Sequence, residues 1–356
     1  MSKARTALEE MGKDGSFKRK DSAWRSWISN EEGAEFPPES GRYHLFVAAA
    51  CPWAQRTLLT RALKGLEDAI STTVVHPTWR RTRPDDDEDK HCGWVFGAPK
   101  GSDETFKNSI GLGGPFPCHM DGCEPNPLFE SKAVRDIYEK AKDTEGKYTV
   151  PILWDKKKET IVSNESAEII QMLNGCFNEF AKNPKLDLEP EELKEEMASV
   201  DTWIYNTLNN GVYRCGFASS QKAYETAITE LTDSFDRVAQ ILEKQRFIAG
   251  DQITLSDIRL FPTLLRFDEV YIVYFKCNTR AVRHTPAILN YCREIYQMAG
   301  VKGTVDMAQI KMHYYTSHPH LNKFSIIPRG PNFAKLLEAP HDRNLVANSK
   351  KQKVEE

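Results

Sequence analysis

The stretch that most constrains this chain is Leu45–Leu59, where one hydrophobic period gives way to another. Tyr43 to Ala50 is a run of apolar and small residues long enough for one buried strand. Beyond it, Ala54, Leu58, Ala62 and Leu63 fall on one helical face at three- and four-residue spacing. Cys51 sits where the period changes, so a strand hands over to a helix at a thiol. Pro52 follows, and proline suits the first helical position because that N–H has no partner inside the helix. A cysteine so placed faces unsatisfied N–H groups and the positive end of the helix dipole. Such a setting can lower a thiol pKa from about 8.5 into the range ~3.5–7.5 and so make a nucleophile. A buried, inert cysteine is the plainer reading of a lone thiol; the strand–helix junction favours the reactive one.

At 356 residues the chain has room for two domains with proper cores. The 48 Lys and Arg nearly balance the 51 Asp and Glu, which argues against nucleic acid or an anionic membrane as partner. Eight scattered cysteines in a chain this size fit a reducing compartment rather than a disulfide framework. Met1–Lys20 has no apolar signal core, and no run approaches the ~20 residues of a membrane span, so the cytoplasm is the expected location.

Along the chain, Trp24 and Trp27, three apart, predict a docked arm with both indoles on one helical face. Ile70–Val75 is β-branched and reads as a second strand. Residues 77–129 have no lasting period and read as a long functional loop with an acidic run at Asp85–Asp89. Cys118-His119-x-x-x-Cys123 within it does not complete a tetrahedral metal set, and no metal is expected. A helix is predicted over about 131–141, then a hairpin through Gly146–Trp154 and Glu159–Val162, then a helix capped by Asn164. From 193 onward the pattern is helical, and Thr254 with Asp257 forms a capping-box spacing. His313, His318 and His320 can be read as metal ligands or as histidines capping a helix end, and the capping reading is preferred. The last twenty or so residues read as disordered.

This order predicts an α/β thioredoxin-like N-terminal domain plus an all-α C-terminal domain. The expected boundaries are an arm at 1–40, the thioredoxin-like domain at 41–176, the helical domain at 177–331 and a tail at 332–356. Ala54 stands where a Cys-x-x-Cys motif would carry its second cysteine. The thiol that resolves a mixed disulfide on Cys51 must therefore come from outside.

Cys51-Pro-Trp-Ala54, Val150-Pro-Ile-Leu-Trp-Asp155, Ile161-Val-Ser-Asn-Glu-Ser166, Asn209-Asn-Gly-Val-Tyr213, Arg266-Phe-Asp-Glu-Val-Tyr271 and His313-Tyr-Tyr-Thr-Ser-His318 occur in that order. With the early Arg19–Ile28 segment, they make the chain resemble the glutathione transferases. The resemblance is closest to the xi class, the glutathionyl-hydroquinone reductases, over roughly residues 15–331. It implies glutathione as co-substrate, glutathionyl-(hydro)quinones as substrates and a homodimer. It also implies that Cys51 attacks the glutathione sulfur and that a second glutathione restores it. On the same resemblance Glu165 and Ser166 hold the γ-glutamyl end, and Val150, before a cis Pro151, pairs with the cysteinyl part. Lys147, Tyr148 and Thr149 complete the cradle, with Lys147 where the family usually has arginine, and Trp94 covers the tripeptide. Tyr213 protonates the departing hydroquinone carbon, while Tyr271 and Tyr314 approach the thiolate from the helical domain. An omega-like thioltransferase or dehydroascorbate reductase, or a binding module without chemistry, is the alternative. The insertion around Gly97–Cys123 does not match the family well.

Overall fold

The computed structural model describes residues 10, 12, 14–17 and 19–346. Residues 1–9, 11, 13 and 18 of the expected arm and the end of the expected tail at 347–356 lie outside them. The chain divides into two compact units, the first including Asp21–Pro184 and Thr304–Pro328, the second Glu10–Lys20 and Lys185–Gly303 with the chain from Arg329.

The first unit is built on β1 (Tyr43–Val47), α1 (Pro52–Lys64) and β2 (Ser71–Val74). Every residue of β1 is buried, as a strand covered on both faces must be. It pairs in parallel with β2, and the connection between them is α1. The long loop is more ordered than its missing period implies. It forms two short antiparallel ladders, β3 (Arg80–Arg81) with β4 (Cys92–Gly93) and β5 (Thr105–Phe106) with β6 (Phe116–Pro117). Two-residue ladders are too short to leave a periodic trace in the sequence. After α2 (Val134–Lys140) come β7 (Ile152–Asp155), β8 (Thr160–Ser163) and α3 (Ser166–Gly175). The sheet order is β2-β1-β7-β8, with β7 antiparallel to both its neighbours.

The arm docks, but not as a helix. Arg25 bridges Ser163 antiparallel, the Ser26 amide donates to the Val162 carbonyl and Asn164 donates to the Trp24 carbonyl. The segment thus extends the sheet beside β8. In an extended segment residues three apart face opposite ways. Trp24 reaches Asp143 through its indole N–H (2.9 Å), while Trp27 remains exposed.

The second unit is helical: α4 (Lys194–Ile204), α5 (Gly211–Gly216), α6 (Gln221–Leu242), α7 (Leu255–Arg266), α8 (Ile272–Tyr274) and α9 (Pro286–Gln297). Ala227, Leu231, Phe235, Val238 and Leu242 are the buried stripe of α6. Asp257 accepts from the Thr254 amide and hydroxyl (2.8 and 3.0 Å), as the capping spacing predicts, and also from Ile248 N and Tyr291 Oη. Burial pushes its carboxyl up to about 6. Two π-helical turns, Tyr205–Asn209 and Phe267–Tyr271, interrupt the helices.

The chain then returns to the first unit with α10 (Met307–Ser317). Residues 304–328 therefore depart from the expected boundary, because α10 packs through Thr78, Trp79 and Trp94 rather than through helices alone. The following α11 (Phe333–Leu336) and its flanks are docked rather than disordered up to residue 346. Phe333 and Leu337 are fully buried, and the Arg343 guanidinium donates to the carbonyls of Leu242, Gln245 and Arg246.

His44 lies between Ser71 Oγ (2.7 Å) and Thr73 Oγ1 (2.9 Å), and burial lowers its pKa to about 4; burial does the same to His76. Below the ordinary histidine value the unfolded chain takes up protons that the folded unit refuses. Their contribution is therefore present above pH ~6.5 and lost as pH falls toward 4, on the order of 3 kcal/mol per histidine. The urea midpoint of the first unit is expected to fall between pH 7 and pH 5, and less steeply in His44→Gln. Equal falls in the two proteins would refute the assignment.

Candidate active site

Cys51 occupies the N-cap of α1, in extended conformation, with Pro52 at the first helical position. Its carbonyl accepts the first helical bond from Gln55 N (2.9 Å). The thiol is buried, and Sγ lies 3.6 Å from the Val150 carbonyl oxygen. The antiparallel register explains the meeting. Phe46 opposes Ile152, so the chain leaving β1 runs past the residues that precede β7. The Val150–Pro151 peptide is cis, as expected. Ala54, one turn along α1, is fully buried, and none of the eight cysteines forms a disulfide.

Glu165, not Asn164, caps α3. Its Oε1 accepts from Ala167 N (3.0 Å), and its Oε2 accepts from the Ser22 hydroxyl (3.0 Å) of the docked arm. Ser166 Oγ is met by Arg56 Nη1 at 3.4 Å, with the Arg56 guanidinium lying over the Trp53 ring. Asn164 is drawn off by a different task. Its Nδ2 donates to the Tyr138 hydroxyl (2.8 Å) and its Oδ1 accepts from Trp24 N. The same hydroxyl donates to the Thr149 carbonyl (2.9 Å) and accepts from Thr149 N (3.3 Å), filling the capacity of one phenol. Tyr138 thereby ties the Thr149–Val150 edge to the Asn164–Glu165 corner. Burial pushes its pKa to about 12, so it stays a neutral donor.

Tyr148 stands against His91, Tyr138 and the Arg135 guanidinium, and burial raises its pKa. Lys147 is half-buried beside it. Trp94 is buried, and the imidazole of His313 stacks on its ring at 4.5 Å and 23°. Tyr314, the next residue, is buried on α10 and so belongs to the same unit as Cys51 rather than to the helical one. Tyr213 and Tyr271 come together inside the helical unit with ring centroids 6.2 Å apart. Phe275 stacks on Tyr271, and Phe17 stacks on Tyr213. Tyr271 closes one π-turn and Tyr213 lies in α5, the helix that follows the other; π-turns are frequent at functional sites.

The Cys118-His119-Cys123 residues have separate partners. Arg80 Nη1 lies 3.2 Å from Cys118 Sγ, His119 faces the Ala98 carbonyl, and burial pushes the Cys123 thiol to about 12 against the Val75 carbonyl. Of the histidines read as caps, His318 takes the C-cap position of α10, while His313 and His318 also pack edge-on against Trp79, and burial holds His318 well below the ordinary histidine value. Among the described residues no group of three or more His, Cys, Asp or Glu could hold a metal ion. No described helix is long and apolar enough to cross a membrane.

Sequence reasoning missed Tyr138, Ser22, Arg56 and His313 as supports of this site. Arg56 left a signal, a charged residue amid the apolar positions of a helix, and His313 opened a quoted motif but was read as a cap.

Residues 50–175 match the family described as glutathione S-transferase, N-terminal domain, and residues 221–294 match glutathione S-transferase, C-terminal domain. With the cysteine at the first helix and the sheet order above, that pairing defines the class as glutathione S-transferase. Glutathionyl-hydroquinone reductase YqjG of Escherichia coli is 39% identical over 339 residues, covering 93% of each chain. Glutathionyl-hydroquinone reductase PcpF of Sphingobium chlorophenolicum is 38% identical, over 89% of this chain and 90% of its own. The xi-class glutathione S-transferase of Phanerochaete chrysosporium superposes with a TM-score of 0.79 at 43% identity, covering 93% of this chain and 97% of that one. The glutathione-bound structure of YqjG also gives 0.79, at 37% identity and 93% and 98% coverage. The chain belongs to the glutathione S-transferase family and, within it, to the xi-class glutathionyl-hydroquinone reductases.

Replacing Tyr138 by Phe takes a partner from the buried Asn164 amide and from both backbone groups of the half-buried Thr149. An unfolding free energy lower by about 1–3 kcal/mol is expected in denaturant titration. An unchanged value would show that the hydroxyl ties nothing.

Proposed function

We propose that this protein removes glutathione from glutathionyl-hydroquinones by way of a Cys51–glutathione mixed disulfide. The observation that carries the reading is Cys51 itself, at the first turn of α1 beside the Val150 carbonyl with Ala54 in the place of a second thiol. The Cys51 thiolate attacks the glutathione sulfur. The carbon–sulfur bond breaks, the aromatic carbon takes a proton from Tyr213, and a sulfur–sulfur bond forms. A second glutathione then attacks that bond, leaving as glutathione disulfide and restoring Cys51. Because no second cysteine lies one turn along α1, the enzyme spends one glutathione thiol from solution per cycle, the other half of the disulfide coming from the substrate.

The remaining roles follow the same reading. Tyr271 and Tyr314 donate O–H to the thiolate. Glu165 and Ser166 hold the γ-glutamyl end at the start of α3, where backbone N–H groups suit a carboxylate. Val150 offers its backbone to the cysteinyl part, Lys147, Tyr148 and Thr149 line the edge, and Trp94 covers the peptide. Lys147 supplies charge without the two-pronged geometry of arginine. The reading includes a homodimer and a reducing, cytoplasmic setting, the latter supported by eight cysteines outside any disulfide.

Turnover of glutathionyl-menadiol is expected to exceed that of hydroxyethyl disulfide, and Cys51→Ser is expected to lose it by at least about a thousandfold, as removal of a nucleophile does. A much faster disulfide reaction would favour an omega-like thioltransferase. Failure of iodoacetamide to label Cys51 selectively near neutral pH would defeat the catalytic reading.

A further inference from the structure

Trp94 lies in an irregular stretch between β4 and α2, where no helix or long strand holds its side chain. Its backbone is tied down, since its carbonyl accepts from Val134 N (3.0 Å) and Val95 bridges Ala133. Those bonds leave the direction of the indole open. The ring is oriented instead by α10. The His313 imidazole lies nearly parallel to it, at 4.5 Å and 23°.

That imidazole is in turn fixed in its own plane. Its Nδ1 lies 2.8 Å from the Pro77 carbonyl oxygen, which can only accept, so Nδ1 carries the hydrogen and donates. Ser317 Oγ, one turn on, lies 3.1 Å from the same nitrogen and accepts from Trp79 N at 3.0 Å. Trp79 closes the arrangement edge-on, 5.7 Å from the Trp94 ring and 5.4 Å from His313. Its indole N–H is buried with no hydrogen-bond partner, so ring packing rather than hydrogen bonding holds it there. Thr78 and Thr316 join hydroxyls at 2.7 Å beneath.

We infer that His313 is a positioning residue for Trp94, holding the indole over the bound tripeptide by face-to-face stacking. The inference rests on the proposed role of Trp94 as the cover of the glutathione site. A flat ring clamped by two hydrogen-bonding partners restricts the indole before ligand arrives, and that restriction lowers the ordering cost of binding. The role concerns ground-state binding of glutathione, and the chemistry at Cys51 lies outside it.

The test compares His313→Ala, His313→Phe and Trp94→Ala with the wild type in glutathionyl-menadiol turnover, with tryptophan emission recorded on each. His313→Ala is expected to raise the KM for glutathione about threefold to tenfold, the range for losing one ring pair, with kcat changed by less than about twofold. Its emission should shift as Trp94 loses its stacked neighbour. His313→Phe keeps a flat ring and should return KM to within about twofold of wild type. Should His313→Ala fail to fold, Ser317→Ala, which loosens the anchor of the ring and frees the Trp79 amide, is expected to raise KM in the same direction. An unchanged KM in His313→Ala alongside a raised KM in Trp94→Ala overturns the inference alone, as does a loss confined to kcat. An unchanged KM in Trp94→Ala overturns the underlying placement of Trp94 and the inference with it.

Discussion

Everything in the first unit depends on where β1 lets go of the chain. Tyr43–Val47 is buried on both faces between β2 and β7, so it has no freedom to slide. A shift of one residue would turn its whole apolar set the other way. With Phe46 opposite Ile152, the chain leaving β1 must pass Val150 before α1 begins. The Cys51 sulfur then meets the Val150 carbonyl as a consequence of register. A reactive group placed by a buried ladder is held more firmly than one placed by a surface loop.

A second layer of support comes from residues that carry no chemistry. Tyr138 spends its single hydroxyl on Thr149 and Asn164, joining the two edges of the proposed glutathione cradle. The arm adds Ser22 to the Glu165 carboxylate and Trp24 to Asn164. Because the arm pairs along the edge strand β8, it also covers backbone groups that would otherwise be open to another chain. Stability and the geometry of the site are therefore carried by the same bonds.

Much of this was legible in the sequence, and for particular reasons. The change of period at Cys51, the β-branched run of β2 and the Thr254–Asp257 spacing are local signals, each contained within one element. The docked arm was legible as aromatic anchoring but not as a strand, since a three-residue spacing is compatible with a helix and the partner edge is more than a hundred residues away. The cap of α3 went to Glu165 because Tyr138 and Trp24 compete for Asn164, and that competition is invisible along the chain. The ladders inside residues 77–129 are two residues long and leave no pattern to count.

The amino-acid order alone determined the two kinds of architecture, the thiol at a strand–helix junction and the lack of a resolving cysteine one turn away. Each is a statement about neighbours within a few residues, where spacing translates directly into geometry. Tertiary structure alone decided that α10 joins the thioredoxin-like unit, that Tyr314 travels with Cys51, and that His313 faces Trp94. Those pairings join residues far apart in the chain, and their partners are chosen by which ring or carbonyl a buried side chain can reach.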